Sequence, residues 1–447
     1  MKILAQVIFI IVFLFSIGYF ARNARKIIRN IKLGQPVNRT DQPKKRWAYM
    51  ARVALGQSKM VVRPVAGIMH LFVYIGFILI NIEILEIIID GITGSHRSFA
   101  AYLGSFYGFL IGFFEVLALL VLIGVIVFWF RRNVNKLKRF WAREMKGWPK
   151  QDGNYILYFE MVLMIAILVM NATDHQLQEM NIQGYAHEGG IAGAFPISDL
   201  IRPVFEGMSA STLIIIERAA WWFHILGILF FLNYLYYSKH LHIILAFPNT
   251  YFAKMQPLGE FDNLESVTKE VDLMLDPNAD PFAEPEPGEE DEIPEKFGAS
   301  DVMDLNWVQL LNAYTCTECG RCTSECPANR TGKLLSPRKI MMDTRDRLEE
   351  VGKIIDEKGK FEPDGKELLN DYILPEELWA CTTCNACVEA CPVGIDPMSI
   401  IVEMRRYLVM EESGAPQELN VMMSNIENNS APWPYSQQDR LNWMDED

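Results

Sequence analysis

The sequence predicts an all-α protein in two parts, a five-helix transmembrane bundle followed by a helical domain in the cytoplasm. Three observations carry this. Five apolar stretches, near 3–20, 65–90, 104–130, 154–171 and 212–238, are long enough to span a bilayer, which takes about 20 residues. The loops between them alternate in charge: residues 21–64 hold twelve Lys or Arg and 131–150 hold eight, whereas 91–103 and 172–211 hold one each, Arg97 and Arg202. Finally, all eight cysteines fall in two compact segments beyond residue 315.

The first stretch lacks an A-x-A cleavage site and runs directly into ARNARKIIRNIK, so it reads as a retained helix rather than a signal peptide. Basic loops stay inside. The amino terminus is therefore expected outside the cell inner membrane, and five spans deliver the rest of the chain to the cytoplasm. That compartment keeps eight thiols reduced instead of pairing them. Residues 1–250 form the membrane domain. Residues 251–300 read as a linker, because 259–300 carry fourteen Asp or Glu against two Lys with many prolines, and such a stretch buries too little apolar surface to fold alone. Residues 301–412 form the cysteine domain, and 413–447 are a polar tail suited to docking a partner. The net charge of −13 speaks against nucleic-acid binding.

The cysteine segments are CTECGRCTSECP, residues 316–327, and CTTCNACVEACP, residues 381–392. Both read C-x2-C-x2-C-x3-C-P, the bacterial ligand run for a cubane iron–sulfur cluster, in which the fourth cysteine serves the other cluster. Cys316, Cys319, Cys322 and Cys391 are expected to hold one [4Fe–4S] cluster, and Cys381, Cys384, Cys387 and Cys326 the second. Structural zinc uses separated CxxC pairs and fits this spacing poorly. Between the motifs, SPRKIMMDTRDRLEEVGKIIDEKG predicts a helix capped by Ser336 with Pro337 at its first position, and DPMSIIVEMRRYLVMEE, residues 396–412, predicts another. The cysteine domain resembles the alpha-helical ferredoxin of succinate dehydrogenase iron–sulfur subunits and of heterodisulfide reductase-type proteins.

Seven histidines remain. His96, His175 and His187 fall in outer loops or at a helix edge, where loop bonding accounts for them. His224 and His242 are eighteen residues apart, five helical turns, so on one continuous helix they share a face and stand about 27 Å apart. His240 faces elsewhere. His70 lies near the cytoplasmic start of the second span, at the depth of His242 or His240. Two neutral imidazoles on facing helices suit axial ligation of a b-type haem, with His70 and His242 as the pair and Arg63 and Lys239 placed for the propionates. Interhelical hydrogen bonding is the plainer role, above all for His240.

These spans and histidines resemble the haem-binding gamma subunit of respiratory nitrate reductase and the membrane subunits of heterodisulfide reductase and of the sulfite-reduction-associated complex. The nitrate reductase pattern implies two histidines on each of helices two and five, holding two haems. Here Ile80 stands where a second histidine of helix two belongs, so His224 lacks an axial partner and one haem b is expected. His175 is a poor match in depth. The tail APWPYSQQDRLNWMDED resembles the segment that leads into a cysteine-rich catalytic region in those families. No further cysteine follows, so the catalytic module is expected on a separate cysteine-rich or flavin-containing cytoplasmic protein.

Charged residues inside the spans call for a reason. Glu83, Glu115 and Glu160 are candidates for a proton relay or a quinone headgroup, while Glu86, Asp90 and Glu217 suit the interface, with Glu217 and Arg218 expected to pair with groups on other helices near the outer boundary. Together these observations imply an electron-transfer subunit linking quinone and haem b to two [4Fe–4S] clusters and a soluble partner. The alternative is a haem-free membrane anchor for an iron–sulfur relay.

Overall fold

The computed structural model describes residues 2–187, 190–277 and 296–444. The acidic heart of the expected linker, 278–295, and the last three residues of the tail lie outside the described residues. The fold is all-α, with no strand among the described residues. Five helices are long and apolar enough to cross a membrane: α1 (Lys2–Ile31), α2 (Pro64–Thr93), α3 (Ser105–Asn133), α4 (Trp148–Glu179) and α5 (Ala210–Tyr234). Pro64 and Pro149 occupy first-turn positions of α2 and α4, where a missing N–H costs nothing. Gly94, at φ +72°, ends α2, a left-handed stop that glycine adopts cheaply. The Ser209 hydroxyl caps α5 by accepting the Thr212 N–H at 3.3 Å.

Successive helices pack side by side, and α1 closes the ring by touching both α2 and α5. The interior is filled by Phe9, Ile80, Ile84, Ile111, Phe114, Trp221 and Ile225. Outside, Leu4, Ile11, Leu14, Phe109, Ile215 and Phe230 are exposed, as a helix facing hydrocarbon requires.

The end of the bundle opposite the cysteines is closed by a polar network. Arg97 is buried and left-handed at φ 48°. Its guanidinium donates to Asp174 at 2.6 Å, Asn171 at 2.9 Å and Tyr107 at 3.1 Å. Asp90 accepts the Arg97 and Ser98 N–H groups, and Glu86 accepts the Phe99 N–H and the Tyr107 hydroxyl. His96 adds a 2.9 Å contact to Asp174 and a 3.2 Å one to His187. Removing one partner of a buried ion pair strands the other charge. Arg97→Leu is therefore expected to destabilise the bundle by about 3–5 kcal/mol, read as a lowered thermal transition of the detergent-solubilised protein.

The fifth span departs from expectation at its end. After α5 a tight turn, Leu235–Tyr237, leads to Ser238 in extended conformation, and a new helix, α6 (His242–Tyr251), follows a second short turn. His224 and His242 therefore do not share one helix face. The cause is Asp152 on α4, which accepts the Tyr234 hydroxyl at 2.6 Å, the Ser238 hydroxyl at 2.7 Å and the Lys239 N–H at 3.2 Å. These bonds satisfy the groups freed where the helix stops. Within the expected linker, Glu265–Leu275 is helical (α7).

The cysteine domain is built on α8 (Trp307–Thr315), α9 (Pro337–Lys358) and α10 (Pro397–Met410). The expected cap is present, with the Ser336 hydroxyl accepting the Lys339 N–H, and the structure adds a second, in which Asp396 accepts the Ser399 N–H at 3.0 Å. Leu310, Ile340, Leu348, Val351, Leu378, Ile400 and Met404 form its core. This domain rests on the basic end of the bundle. Lys26 of α1 pairs with Asp356 at 2.5 Å, and Asn30 donates to the Tyr314 hydroxyl at 2.9 Å. Gln35 exchanges backbone bonds with Leu305 and Trp307 at 2.9 and 3.1 Å. Chain contact is so close here that a Cβ on Gly34 would lie 2.6 Å from the Trp307 nitrogen.

Candidate iron–sulfur and membrane cofactor centres

The two cysteine loops are copies of one another, offset by 65 residues. Each carries left-handed residues at the same two places, Glu318 and Gly320 in the first and Thr383 and Asn385 in the second. Each then enters one short helix, Arg321–Glu325 or Ala386–Ala390, and meets its fourth cysteine just after it. Successive left-handed turns wrap the loop so that three thiols face inward. The two short helices pack on each other, and this contact exchanges the fourth cysteines.

Cys391 lines one cavity together with Cys316, Cys319 and Cys322. Cys387 also lines this cavity, and Cys322 packs against the cluster of Cys387, Val388 and Met398, so the two thiol groups are neighbours. Electrostatics divide the same way. Burial pushes the Cys316 thiol up to about 12, with the Glu318 carboxylate and then Cys319 and Cys391 adding to it. Burial and Cys319 push Cys391 up to about 11. On the other side burial raises Cys387, with Asp396, Cys381 and Cys326 adding to it. Thiols pushed up this far ionise only against a cation. None is in a disulfide. The C-x2-C-x2-C-x3-C spacing suits a cubane, where each thiolate binds its own iron, better than the separated CxxC pairs of structural zinc.

The cations assigned to haem propionates are engaged elsewhere. Arg63 donates to Ser324 at 2.9 Å and Glu325 at 2.7 Å. Lys239 donates to Glu318 and to the Pro149 carbonyl, the latter at 2.5 Å. Both clamp the first cysteine loop to the bundle instead of pointing at a membrane cofactor. Glu318, between Cys316 and Cys319, is 3 % exposed and also accepts from Arg345 at 2.8 Å.

Three histidines gather beneath this loop. His70 on α2 lies close enough to His242 and His240 for their charges to interact, and the His240 and His242 rings meet edge to face at 5.4 Å. His240 does not face elsewhere, because the break at Ser238 turns it back. The His242 Nδ1 bonds the Lys239 carbonyl at 3.1 Å, which leaves its Nε2 lone pair outward. His224 is arranged alike: Nδ1 bonds the Leu163 carbonyl at 3.0 Å, and the buried Nε2 has no partner. The His70 Nδ1 is also buried without a partner. A backbone-pinned imidazole with a bare second nitrogen is the ligand form that bonds from the surrounding protein select.

The intramembrane carboxylates separate. Glu115 is saturated by the Ile197 and Ser198 N–H groups, the Ser198 hydroxyl and Asn171, which is a structural role. Glu217 accepts the Tyr185 hydroxyl at 2.7 Å and pairs with Arg218. Glu160 stands 3.6 Å from His240. Glu83 keeps a buried Oε1 without a partner. His175 bonds Asp199 at 2.6 Å, away from the other imidazoles.

Residues 315–395 match the model of the 4Fe-4S dicluster domain. The C-terminal part is a 4Fe-4S dicluster domain. Its eight cysteines support two [4Fe–4S] clusters. Across 98 % of its length the chain is 30 % identical to a probable iron-sulfur-binding oxidoreductase, FadF, of Bacillus subtilis, covering 60 % of that protein. It is 28 % identical over 94 % of its length to the EtfAB:quinone oxidoreductase of Syntrophomonas wolfei, covering 55 % of it. A third of the chain, 34 %, is 29 % identical to one polypeptide of the dihydromethanophenazine:CoB–CoM heterodisulfide reductase of Methanosarcina mazei, covering 37 % of that polypeptide. The chain thus spans 60 % or less of the length of these relatives. No solved structure matches.

Several residues around the dicluster domain escape sequence reasoning. Arg338, fully buried, ties the first loop to the bundle by donating to Glu144 and to the Arg139 carbonyl, both at 2.6 Å. Arg321 donates to the Lys59 and Met60 carbonyls at 3.0 and 3.1 Å.

Proposed function

We propose that this chain relays electrons across the boundary between a membrane and a soluble redox partner. In this reading residues 1–250 form a membrane domain with the amino terminus outside. Residues 301–412 carry the clusters in the cytoplasm, joined through a linker at 251–300 and followed by a partner-docking tail at 413–447. Cys316, Cys319, Cys322 and Cys391 ligate the cluster nearer the bundle, and Cys381, Cys384, Cys387 and Cys326 the other. The bound clusters supply one-electron exchange. The observation that carries the reading is the placement of Cys391 in one cavity with Cys316, Cys319 and Cys322, directly over the His70, His240 and His242 cluster. Arg63 and Lys239 hold the first loop down on the bundle, and exposed Cys384 leaves the second loop open to a soluble partner. That partner is a cysteine-rich or flavin-containing redox protein, and the membrane carrier is a quinone. The names of the relatives, one a quinone oxidoreductase and one a part of a heterodisulfide reductase, support both.

One haem b between α2 and the start of α6 belongs to this reading, held by His70 and His242, while His224, deeper in the bundle, would serve only a second haem for which helix two offers no partner imidazole. The bare His70 Nδ1 supports it. A haem-free anchor is favoured instead by the mutual contact of His240 and His242, which already gives those rings neighbours. Metal analysis of the intact protein is expected to find about eight iron atoms in the clusters and paired b-type absorption bands on reduction. Cluster iron without those bands selects the anchor, and zinc in place of iron defeats both.

A further inference from the structure

Among the described residues, two guanidiniums beside the first cysteine loop have no carboxylate in an ion pair with them. Arg321 is 5 % exposed, lines the cavity shared by Cys316, Cys319, Cys322 and Cys391, and donates only to the Lys59 and Met60 carbonyls and the Met60 sulfur. Arg139, from the basic loop between α3 and α4, packs against Gly320, where an added Cβ would lie 3.2 Å from its own. Its buried Nε has no partner. Burial holds Arg139 below the usual arginine range, and the Cys319 thiolate opposes that effect. Buried charges are kept only when they are paired. Here the missing partner is an anion at the thiol cavity. A cubane with four thiolates is an anion in both redox states and gains one more negative charge on reduction, so net charge nearby sets its potential.

The other cations bound to this loop each have a carboxylate. Lys239 reaches Glu318 and Asp152, Arg345 reaches Glu318 and Asp346, Arg338 faces Glu144, and Arg63 faces Glu325. At the second loop Arg405 donates to the Leu378 and Cys381 carbonyls, while Asp396 sits beside Cys387, so one positive and one negative charge offset each other. Sulfur hydrogen bonds are also balanced, with the Ile395 N–H at 3.3 Å from Cys391 and the Thr383 N–H at 3.4 Å from Cys381. Exposure of Cys384 lets water favour the reduced second centre. That effect acts on one thiolate of four, whereas two unneutralised charges at near-contact range are each worth more than a tenfold change in the ratio of reduced to oxidised centre.

We propose that Arg139 and Arg321 are the counter-charges of the Cys316/Cys319/Cys322/Cys391 centre and hold its reduction potential above that of its neighbour. The first electron the protein accepts then comes to rest on the side that faces the helical bundle. This rests on the relay reading above and adds to it the order of the two centres. Arg139 belongs to the bundle's own loop, so the bundle itself sets the potential of the centre docked on it.

The test is a redox titration of the intact holoprotein in detergent, followed by electron paramagnetic resonance. Arg139→Gln and Arg321→Gln are each expected to lower the higher-potential couple by at least about tenfold in the reduced-to-oxidised ratio, which is about 59 mV for one electron, and to leave the lower couple in place. Arg405→Gln moves only the lower couple. Arg321→Lys keeps the charge and the wild-type potential, and it stands in if Arg321→Gln fails to fold. A lower couple that responds to Arg139→Gln, a higher couple that responds to Arg405→Gln, or no shift in any variant overturns the proposal. Absence of cubane signals in the wild type defeats the relay reading instead.

Discussion

Cys391→Ser is expected to cost the protein the centre built on Cys316, Cys319 and Cys322, sixty-five residues or more away in sequence, and to spare the centre of its own motif. The reason is geometric. The short helices Arg321–Glu325 and Ala386–Ala390 pack together, and the Pro that follows each fourth cysteine turns the chain away. Cys391 is thereby delivered to the cavity of the first loop. Iron is expected to fall from about eight atoms toward about four, or to leave a three-iron signal where the fourth ligand is gone. Cys326→Ser is the reciprocal experiment and strips the Cys381, Cys384 and Cys387 centre. Because Cys316, Cys326 and Cys391 are part of the domain core, some loss of stability accompanies either change. Which spectroscopic signal disappears is the discriminating readout. Loss of the Cys381 centre in Cys391→Ser would contradict crosswise ligation.

His70→Ala and His242→Ala are each expected to abolish the b-type bands of reduced protein while leaving cluster iron unchanged. His242 presents Nε2 because its Nδ1 is held by the Lys239 carbonyl, and that carbonyl is fixed by the Asp152 contacts at Ser238 and Lys239. His70 comes from the other side of the space, on α2, with Nδ1 unpartnered. Removing either leaves iron with one protein ligand. His240→Ala removes a ring that packs on His242 and is expected to retain the bands with altered position. Pyridine haemochrome assay and reduced-minus-oxidised spectra measure both. Bands retained in both His70→Ala and His242→Ala would sink this pairing.

What is legible in the sequence depends on range. The cysteine motifs are readable because ligand spacing around a cubane is fixed within a dozen residues. The cap at Ser336 is readable because a cap acts three residues on. Five spans are readable from length and apolarity alone. The break at Ser238 is not, because Asp152 imposes it from 86 residues away. Extending one ideal helix across it puts His224 and His242 on a common face and turns His240 away, and the structure reverses both. Depth alone suits Arg63 and Lys239 to propionates, but their carboxylates, Glu325 and Glu318, lie far along the chain. In sequence Arg97 is a solitary loop residue. Its role as hub appears only when Asp90, Tyr107, Asn171 and Asp174 converge on it.

The most direct test of the central claim uses the intact protein in lipid nanodiscs under anaerobic conditions. The clusters are reduced with dithionite, excess reductant is removed, and a naphthoquinone confined to the lipid is added. Each cluster surrenders one electron, and the pair of electrons with two protons converts one quinone to quinol. The account predicts that the cluster resonance signals vanish as quinol forms in matching amount. Persistence of the reduced signals with quinone unchanged in the same bilayer would contradict it.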